Sequence, residues 1–182
     1  MKRIRIAQIG TSQYSHGGSI IKSLKKQSDL FEVVGYALPE NERKKFPKEM
    51  KYFDGLWEMT VEEILNDPSI EAVAVETEEI YLTKYAQLAA SAGKHMHMEK
   101  PGSQCLADFE AMIETVRRNG TVFHTGYMYR YNPFVQALFA QIKSGELGQI
   151  LSVEAQMNCI LSKELRQWLK NFRGGMMFFL GC

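Results

Sequence analysis

Ile4-Arg5-Ile6-Ala7-Gln8-Ile9 is a short β-rich run that stops at Gly10. The next nine residues, Gly10-Thr11-Ser12-Gln13-Tyr14-Ser15-His16-Gly17-Gly18, are mostly small or polar and lead into Ile20, Ile21 and Leu24 at helical spacing, closed by Lys25-Lys26. A strand, a turn and a helix in that order call for another strand beside the first. Phe31 to Ala37 supplies it. A strand returned to its neighbour through a helix is parallel to it, and such crossovers are right-handed.

The alternation persists downstream. Pro39 to Tyr52 is highly charged and reads as an exposed short helix and loop, and Val61, Ile64 and Leu65 give a small helix before Asn66-Asp67-Pro68. Ile70 to Val75 is a strand, and Tyr81, Tyr85, Leu88, Ala89 and Ala92 form the apolar stripe of a helix ending at Gly93. Lys94 to Met98 is again a strand, followed by Leu106, Phe109, Met112, Ile113 and Val116 on a helix, a strand over Thr121 to Thr125, and a helix carrying Phe134, Leu138, Phe139 and Ile142 to Gly145. Helical and strand periods in regular succession predict an α/β, Rossmann-type doubly wound parallel sheet over 1–125, with a crossover helix extending to about 148.

From Ile150 the pattern changes. Leu151, Val153, Ala155 and Met157 alternate with Ser152, Glu154, Gln156 and Asn158. This predicts a strand with one buried and one wet face, as in an antiparallel sheet. Such a strand cannot stand alone, because its backbone groups need partners. The expectation is that 149–182 begins a second, incomplete α/β domain.

Composition narrows the class. The 182 residues carry 22 Lys+Arg against 21 Asp+Glu, a net charge of +1, with 45% hydrophobic residues. Disorder needs low hydrophobicity and high net charge, and a nucleic-acid surface needs a basic stripe; neither is present. No apolar run approaches the roughly 20 residues of a membrane span. Cys105, Cys159 and Cys182 are widely spaced and odd in number, which reads as reduced thiols of a cytoplasmic protein.

In a doubly wound sheet ligands bind beyond the carboxyl ends of the strands, and a diphosphate rests on the first strand-to-helix turn. Gly10, Thr11, Ser12, Gln13 and Tyr14 are therefore candidate dinucleotide-binding residues. The G-x-G-x-x-G pattern is incomplete, since Ser12 and Ser15 fill its second and third positions, and an ordinary Gly/Ser turn would read the same way. At the end of the second strand Leu38 stands where an acid usually meets the ribose. Glu40 is a substitute acid, while Arg43, Lys44 and Lys45 could meet a 2′-phosphate or simply face solvent, so NAD and NADP both remain open.

Glu99-Lys100-Pro101 sits at the carboxyl end of another strand, where the nicotinamide should lie. Pro101 stiffens the turn. A lysine partly withdrawn from water is suited to proton transfer or to polarising a substrate oxygen, which makes Lys100 the catalytic candidate. His95 and His97 share a strand face and read as packing or cleft-wall residues more readily than as metal ligands. His124 reads as a core histidine, and His16 as a phosphate donor or a plain turn residue.

Gly93-Lys94-His95 running into Glu99-Lys100-Pro101, then Gly126-Tyr127-Met128-Tyr129-Arg130-Tyr131-Asn132-Pro133, resembles the Gfo/Idh/MocA oxidoreductases, the glucose–fructose oxidoreductase and inositol dehydrogenase group. The resemblance implies an NAD(P)-binding Rossmann domain, a C-terminal domain with a mainly antiparallel sheet that mediates homo-oligomers, and sugar, cyclitol or similar polyol substrates. It places Glu99 at the nicotinamide-side ribose, Lys100 between nicotinamide and substrate, and Thr77 and Tyr127 beside the cofactor. Arg130 is either a substrate contact or a structural residue at the start of the next helix.

Two departures stand out. The family's G-G-x-x-x-D-x-G-x-H segment aligns with Gly174 to Cys182, with Phe179 in the position of the acid and the sequence stopping before the His. Its T-P-x-x-x-H stretch becomes Thr77-Glu78-Glu79-Ile80-Tyr81-Leu82. An NAD(P)-dependent polyol oxidoreductase is the leading expectation, with this chain alone inactive. A non-catalytic dinucleotide- or sugar-sensing protein of the same fold is the alternative, supported by Ser12, Leu38 and Phe179.

Overall fold

The computed structural model of the chain describes residues 2–171 and 175–181. Its strands and helices alternate as β1 (Ile4–Ile9), α1 (Gly17–Lys26), β2 (Phe31–Ala37), α2 (Glu42–Lys45), β3 (Trp57–Glu58), α3 (Val61–Asn66), β4 (Ala72–Val75), α4 (Leu82–Ser91), β5 (His95–Met98), α5 (Leu106–Asn119) and β6 (Phe123–Thr125). The six strands form one sheet in the order β3-β2-β1-β4-β5-β6, and every pairing is parallel. The two-residue edge strand β3 escapes sequence reading, because Trp57 and Glu58 are too few to show a period.

β4 explains the centre of the sheet. Ala72-Val73-Ala74-Val75 is buried along its whole length, the mark of a strand covered on both faces. Ile9, Val73, Val75, Leu82, Ala86, Met98 and Met112 pack into the main core. On α4 the buried residues are Leu82, Tyr85, Ala86, Ala89 and Ala90. Leu88, expected inside, is 43% exposed, so the true stripe is rotated toward the small residues that let α4 lie close to β5. Lys94 is also buried: its ammonium donates to the carbonyls of Asp67 and Ile70, tying the turn before β4 to the start of β5.

The chain divides into two compact units, one holding the sheet through Gly126 together with the terminal segment, the other spanning Tyr127–Asn171. The second unit contains α6 (Pro133–Ser144) and α7 (Lys163–Trp168). The Asn-Pro pair has a local cause there. The Asn132 side chain accepts from the backbone N–H groups of Phe134 and Val135, and Pro133 occupies the first turn, where its missing N–H is harmless. The strand expected over 150–158 does not form: these residues have no regular structure, and Leu151 and Val153 are 87% and 81% exposed. Alternation supplies a face but no partner, and no described strand lies beside it to accept its hydrogen bonds. The first unit also includes α8 (Gly175–Leu180). Gly174 and Cys182, both used in the alignment of this region, lie outside the described residues.

Parallel strands deliver their loops to one edge. At that edge Gly10 takes φ +85°, and a Cβ there would lie 2.3 Å from Thr77 Cγ2 and 2.7 Å from Thr77 Cα. The charged stretch after β2 is not wholly exposed as expected. Glu42 is fully buried, and its carboxyl accepts from the Thr11 N–H at 3.2 Å.

Gly10→Ala should lose roughly 2–4 kcal/mol in urea unfolding, from a left-handed backbone plus a steric clash. Gly93→Ala, at φ +70° with nothing within 4 Å, should lose only about 1 kcal/mol. Burial pushes the carboxyls of Glu42 and Glu79 up to about 9 and about 8. Each folded-state value is raised, so each group holds a proton that the unfolded chain releases above about 4.5. Stability should therefore be greatest near pH 5 and decline toward pH 8–9, by about 1.4 kcal/mol per pH unit for each such group. Glu42→Gln, which retains an acceptor for Thr11, should flatten that slope; an unchanged slope would contradict the burial argument.

Candidate functional site

The loop after β1 is knitted by its two serines. Ser12 N–H donates to Ser15 Oγ, Ser15 Oγ donates to the Ser12 carbonyl, and Tyr14 N–H donates to Ser12 Oγ. Ser12 is buried and Gln13 exposed. The residues in the second and third positions of the pattern thus fold the loop. Close packing of the helix on the sheet passes to the next pair, which sequence reading missed. A Cβ on Gly17 would come within 2.7 Å of Gln8 Nε2 and 3.2 Å of Glu76 Cβ, and one on Gly18 within 2.4 Å of the Tyr52 ring. The signal was present as Gly17-Gly18, displaced by two residues from where the pattern looks for it.

α1 begins without an acidic residue or a side-chain cap in its first turn. Its leading amide donors are taken instead by side chains: His16 N–H donates to Glu99 Oε2 at 2.8 Å and Gly17 N–H to Ser15 Oγ at 3.3 Å. Thr11 Oγ1 is buried with no hydrogen-bond partner among the described residues. With the first amides of α1 engaged by Glu99 and Ser15, what the loop offers the diphosphate of a dinucleotide is a backbone lying against Thr77, just beyond β4, and the unpaired buried hydroxyl of Thr11. Burial keeps Glu42, lodged under the same loop, protonated at neutral pH, so it adds no negative charge beside that group.

Glu99 ties the two halves of the edge together. It is 1% exposed, bonds the His16 ring at 2.7 Å, and accepts from the Lys100 N–H at 2.8 Å. Burial opposes its ionisation, but the His16 ring and the backbone donors outweigh burial and hold the carboxyl below its usual value. The same hydrogen bond, against the pull of desolvation, raises His16. Lys100 Nζ donates to the Phe179 carbonyl at 2.7 Å and lies 3.6 Å from the centre of the Phe179 ring. The residue in the position of the acid therefore meets the candidate catalytic lysine through its backbone and its π face.

The other expected residues are placed less directly. Thr77 is fully buried against Gly10, and its hydroxyl donates to the Glu78 carbonyl. Leu38 is half-buried and packs with Ile21, Tyr36 and Phe53. Glu40 accepts from Lys84 and from Tyr85 OH, while Arg43 is engaged by Glu58 and Tyr36 and Lys45 by Glu78. Tyr127 and Arg130 belong to the second unit. Arg130 is exposed there, and its carbonyl, rather than its guanidinium, is the group tied to α6, through Gln136 Nε2. His97 and His124 pair with each other, Nδ1 to Nδ1 at 2.7 Å, and no group of three or more metal-ligating side chains occurs among the described residues. No helix among the described residues is long and apolar enough to cross a membrane.

A levoglucosan dehydrogenase of Pseudarthrobacter phenanthrenivorans is 34% identical over 89 residues, 49% of this chain and 23% of that protein. The scyllo-inositol 2-dehydrogenase (NAD(+)) of Bacillus subtilis is 31% identical over 93 residues, 51% of this chain and 27% of the relative. Among solved structures, scyllo-inositol dehydrogenase from Lactobacillus casei, with bound NAD(H) and scyllo-inositol, superposes with a TM-score of 0.68 at 18% identity, over 81% of this chain and 43% of that one; at that identity the likeness shows the fold. The chain spans less than half the length of the curated relatives it matches, 45% for an uncharacterised oxidoreductase of Rhizobium meliloti that covers 85% of it. The model of the Gfo/Idh/MocA oxidoreductase family, described by its NAD-binding Rossmann fold, matches residues 4–127, and this chain belongs to that family.

Proposed function

We propose that this chain is the dinucleotide-binding part of an NAD(P)-dependent oxidoreductase that interconverts an alcohol and a ketone on a sugar, cyclitol or similar polyol. One observation carries the reading: Glu99 joins the start of α1 to the turn that presents Lys100, so the diphosphate loop and the reacting lysine are held by one buried carboxylate. Gly10, Thr11, Ser12, Gln13 and Tyr14 hold the diphosphate, with Thr77 supporting Gly10 from below. Leu38 flanks the adenosine end. Glu99 and Tyr127 serve the nicotinamide end, and Arg130 serves the substrate.

When bound, the nicotinamide supplies hydride acceptance or donation. The chain's own task is the proton. Oxidising an alcohol carbon requires its hydroxyl proton to leave, and an amine held at that oxygen either removes the proton or stabilises the alkoxide. Lys100 takes this role in the proposal, and release of its ammonium from the Phe179 carbonyl frees it to act. Residues 149–182 begin the substrate domain in this reading, and assembly into homo-oligomers in the cytoplasm belongs to the whole protein.

Phe179 favours a second reading, a dinucleotide or sugar sensor, since its carbonyl already engages the lysine and its side chain cannot exchange a proton. Titrating the intrinsic fluorescence of the 182-residue chain with NADH and NADPH tests the common part. Binding in the sub-millimolar range is expected. Ser12→Asp should weaken it at least about tenfold, or about 1.4 kcal/mol, by placing charge beside the diphosphate, whereas Lys100→Ala should change it less than about threefold because it serves the reacting end. The chain alone should turn over no polyol. No binding at millimolar dinucleotide would end the oxidoreductase reading and the dinucleotide-sensing one, and hydride transfer by the chain alone would remove the sensor.

A further inference from the structure

Five titratable side chains follow one another away from the site. His16 Nδ1 lies 2.7 Å from Glu99 Oε2. Glu99 and Glu76 directly follow Met98 and Val75, which pair across β5 and β4, and Glu76 is fully buried just beyond β4. Glu76 Oε1 lies 3.4 Å from His97 Nε2, and His97 Nδ1 lies 2.7 Å from His124 Nδ1, with the two rings stacked at 5.0 Å. His97 and His124 line a groove of about 720 Å³ on the α1 side of the sheet, walled by Ile6, Ile20, Leu24 and Ala74. We infer that His16, Glu99, Glu76, His97 and His124 form a proton relay joining the cofactor edge to this groove.

Hydrogen-bond chemistry demands a proton on one of the two carboxyls here. Two ionised carboxylates offer each other no donor, and neither oxygen of Glu76 has a hydrogen-bond partner among the described residues. One proton shared by Glu76 resolves this, and it can be handed to Glu99 or to His97. Burial, followed by the charge of Glu99, raises the Glu76 carboxyl well above its ordinary value and so supports that placement. An Nδ1-to-Nδ1 contact between neutral rings needs one donor and one acceptor, so His97 and His124 hold opposite tautomers. Burial lowers both and keeps them neutral. Gly17 permits the file to pass under α1, since a Cβ there would press on Glu76 Cβ.

Transfer balances without any other reactant. A proton received by Glu99 moves to Glu76 and then to His97 Nε2. The Nδ1 proton of His97 passes to His124 Nδ1, and the Nε2 proton of His124 leaves at the groove. One proton enters and one leaves, and both rings exchange tautomers. Lys100 and Glu79 face the upper part of the file, and Glu71 and His95 stand along the groove wall. The relay rests on the proposed function only for its purpose, which is to remove the proton freed at Lys100 when the dinucleotide fills the edge.

Histidine ¹⁵N NMR on the 182-residue chain across pH, without dinucleotide, tests the relay separately from the proposed function. In the relay, His97 and His124 give tautomer-averaged Nδ1 and Nε2 shifts, and His124 responds at the pH where His16 titrates. Glu76→Gln should freeze one tautomer on each ring, and His16→Gln should abolish the second inflection of His124. His16 is the more tolerant position, its side chain being 41% exposed, so it decides the matter if the Glu76 variant does not fold. Single fixed tautomers in the wild type, with no response of His124 to His16→Gln, would overturn the relay.

Discussion

The contact between Gly10 and Thr77 is the constraint on which the rest of the edge depends. β1 and β4 are neighbours in the sheet, yet their chains leave in different directions, toward α1 and toward α4. Only a residue without a side chain lets the first turn lie on the second at a 2.3 Å Cβ approach. This sets the height at which α1 starts, which in turn brings His16 to Glu99 and Gly17 to Glu76. A bulkier turn would lift the helix end from the sheet and leave both buried carboxylates without the donors and the cover that α1 provides. The fold and the chemistry of the site thus share one steric origin.

Buried acid is the second theme. Glu42, Glu76, Glu79 and Glu99 are all withdrawn from water around the carboxyl ends of the strands, where ionised carboxylates would repel an anionic ligand. Their surroundings divide them. Glu99 receives a histidine ring and backbone donors and stays charged. The others lack enough donors, and burial favours their protonated forms. The edge therefore presents far less negative charge than its composition suggests. A diphosphate is compatible with such a set because protonated carboxyls are hydrogen-bonding groups rather than like charges.

Much of the fold was legible because a buried parallel strand and an amphipathic helix each write a period into the sequence. β1, β2, β4, β5 and the helices between them did so over enough residues to be read. β3 did not, because two residues carry no period. The segment 150–158 shows the opposite failure: its alternation is clear, yet a strand exists only through a partner, which periodicity does not reveal. At the site, Glu99 and Lys100 were visible because they end an evident strand. Glu42 was hidden among charged neighbours, since burial of one acid in a polar run depends on tertiary packing over it. Gly17 was hidden because the pattern searched for its function at Ser15, while the structure divides that function between two serines that fold the loop and two glycines that pack it.

The meeting of Lys100 with Phe179 bears most directly on what the edge can do. An acid at that position would share charge and a proton with the lysine, coupling their titrations. Phenylalanine offers a carbonyl and a π face instead, both of which attract the ammonium and neither of which can accept its proton. The lysine is therefore oriented by a group that cannot take its proton, which leaves proton disposal to other residues. The acidic group bonded to the Lys100 backbone is Glu99, which also contacts His16 and borders Glu76. In the proposed relay that disposal falls to the buried carboxyls, so Phe179 beside the lysine and the file from His16 to His124 belong to one reading of the edge.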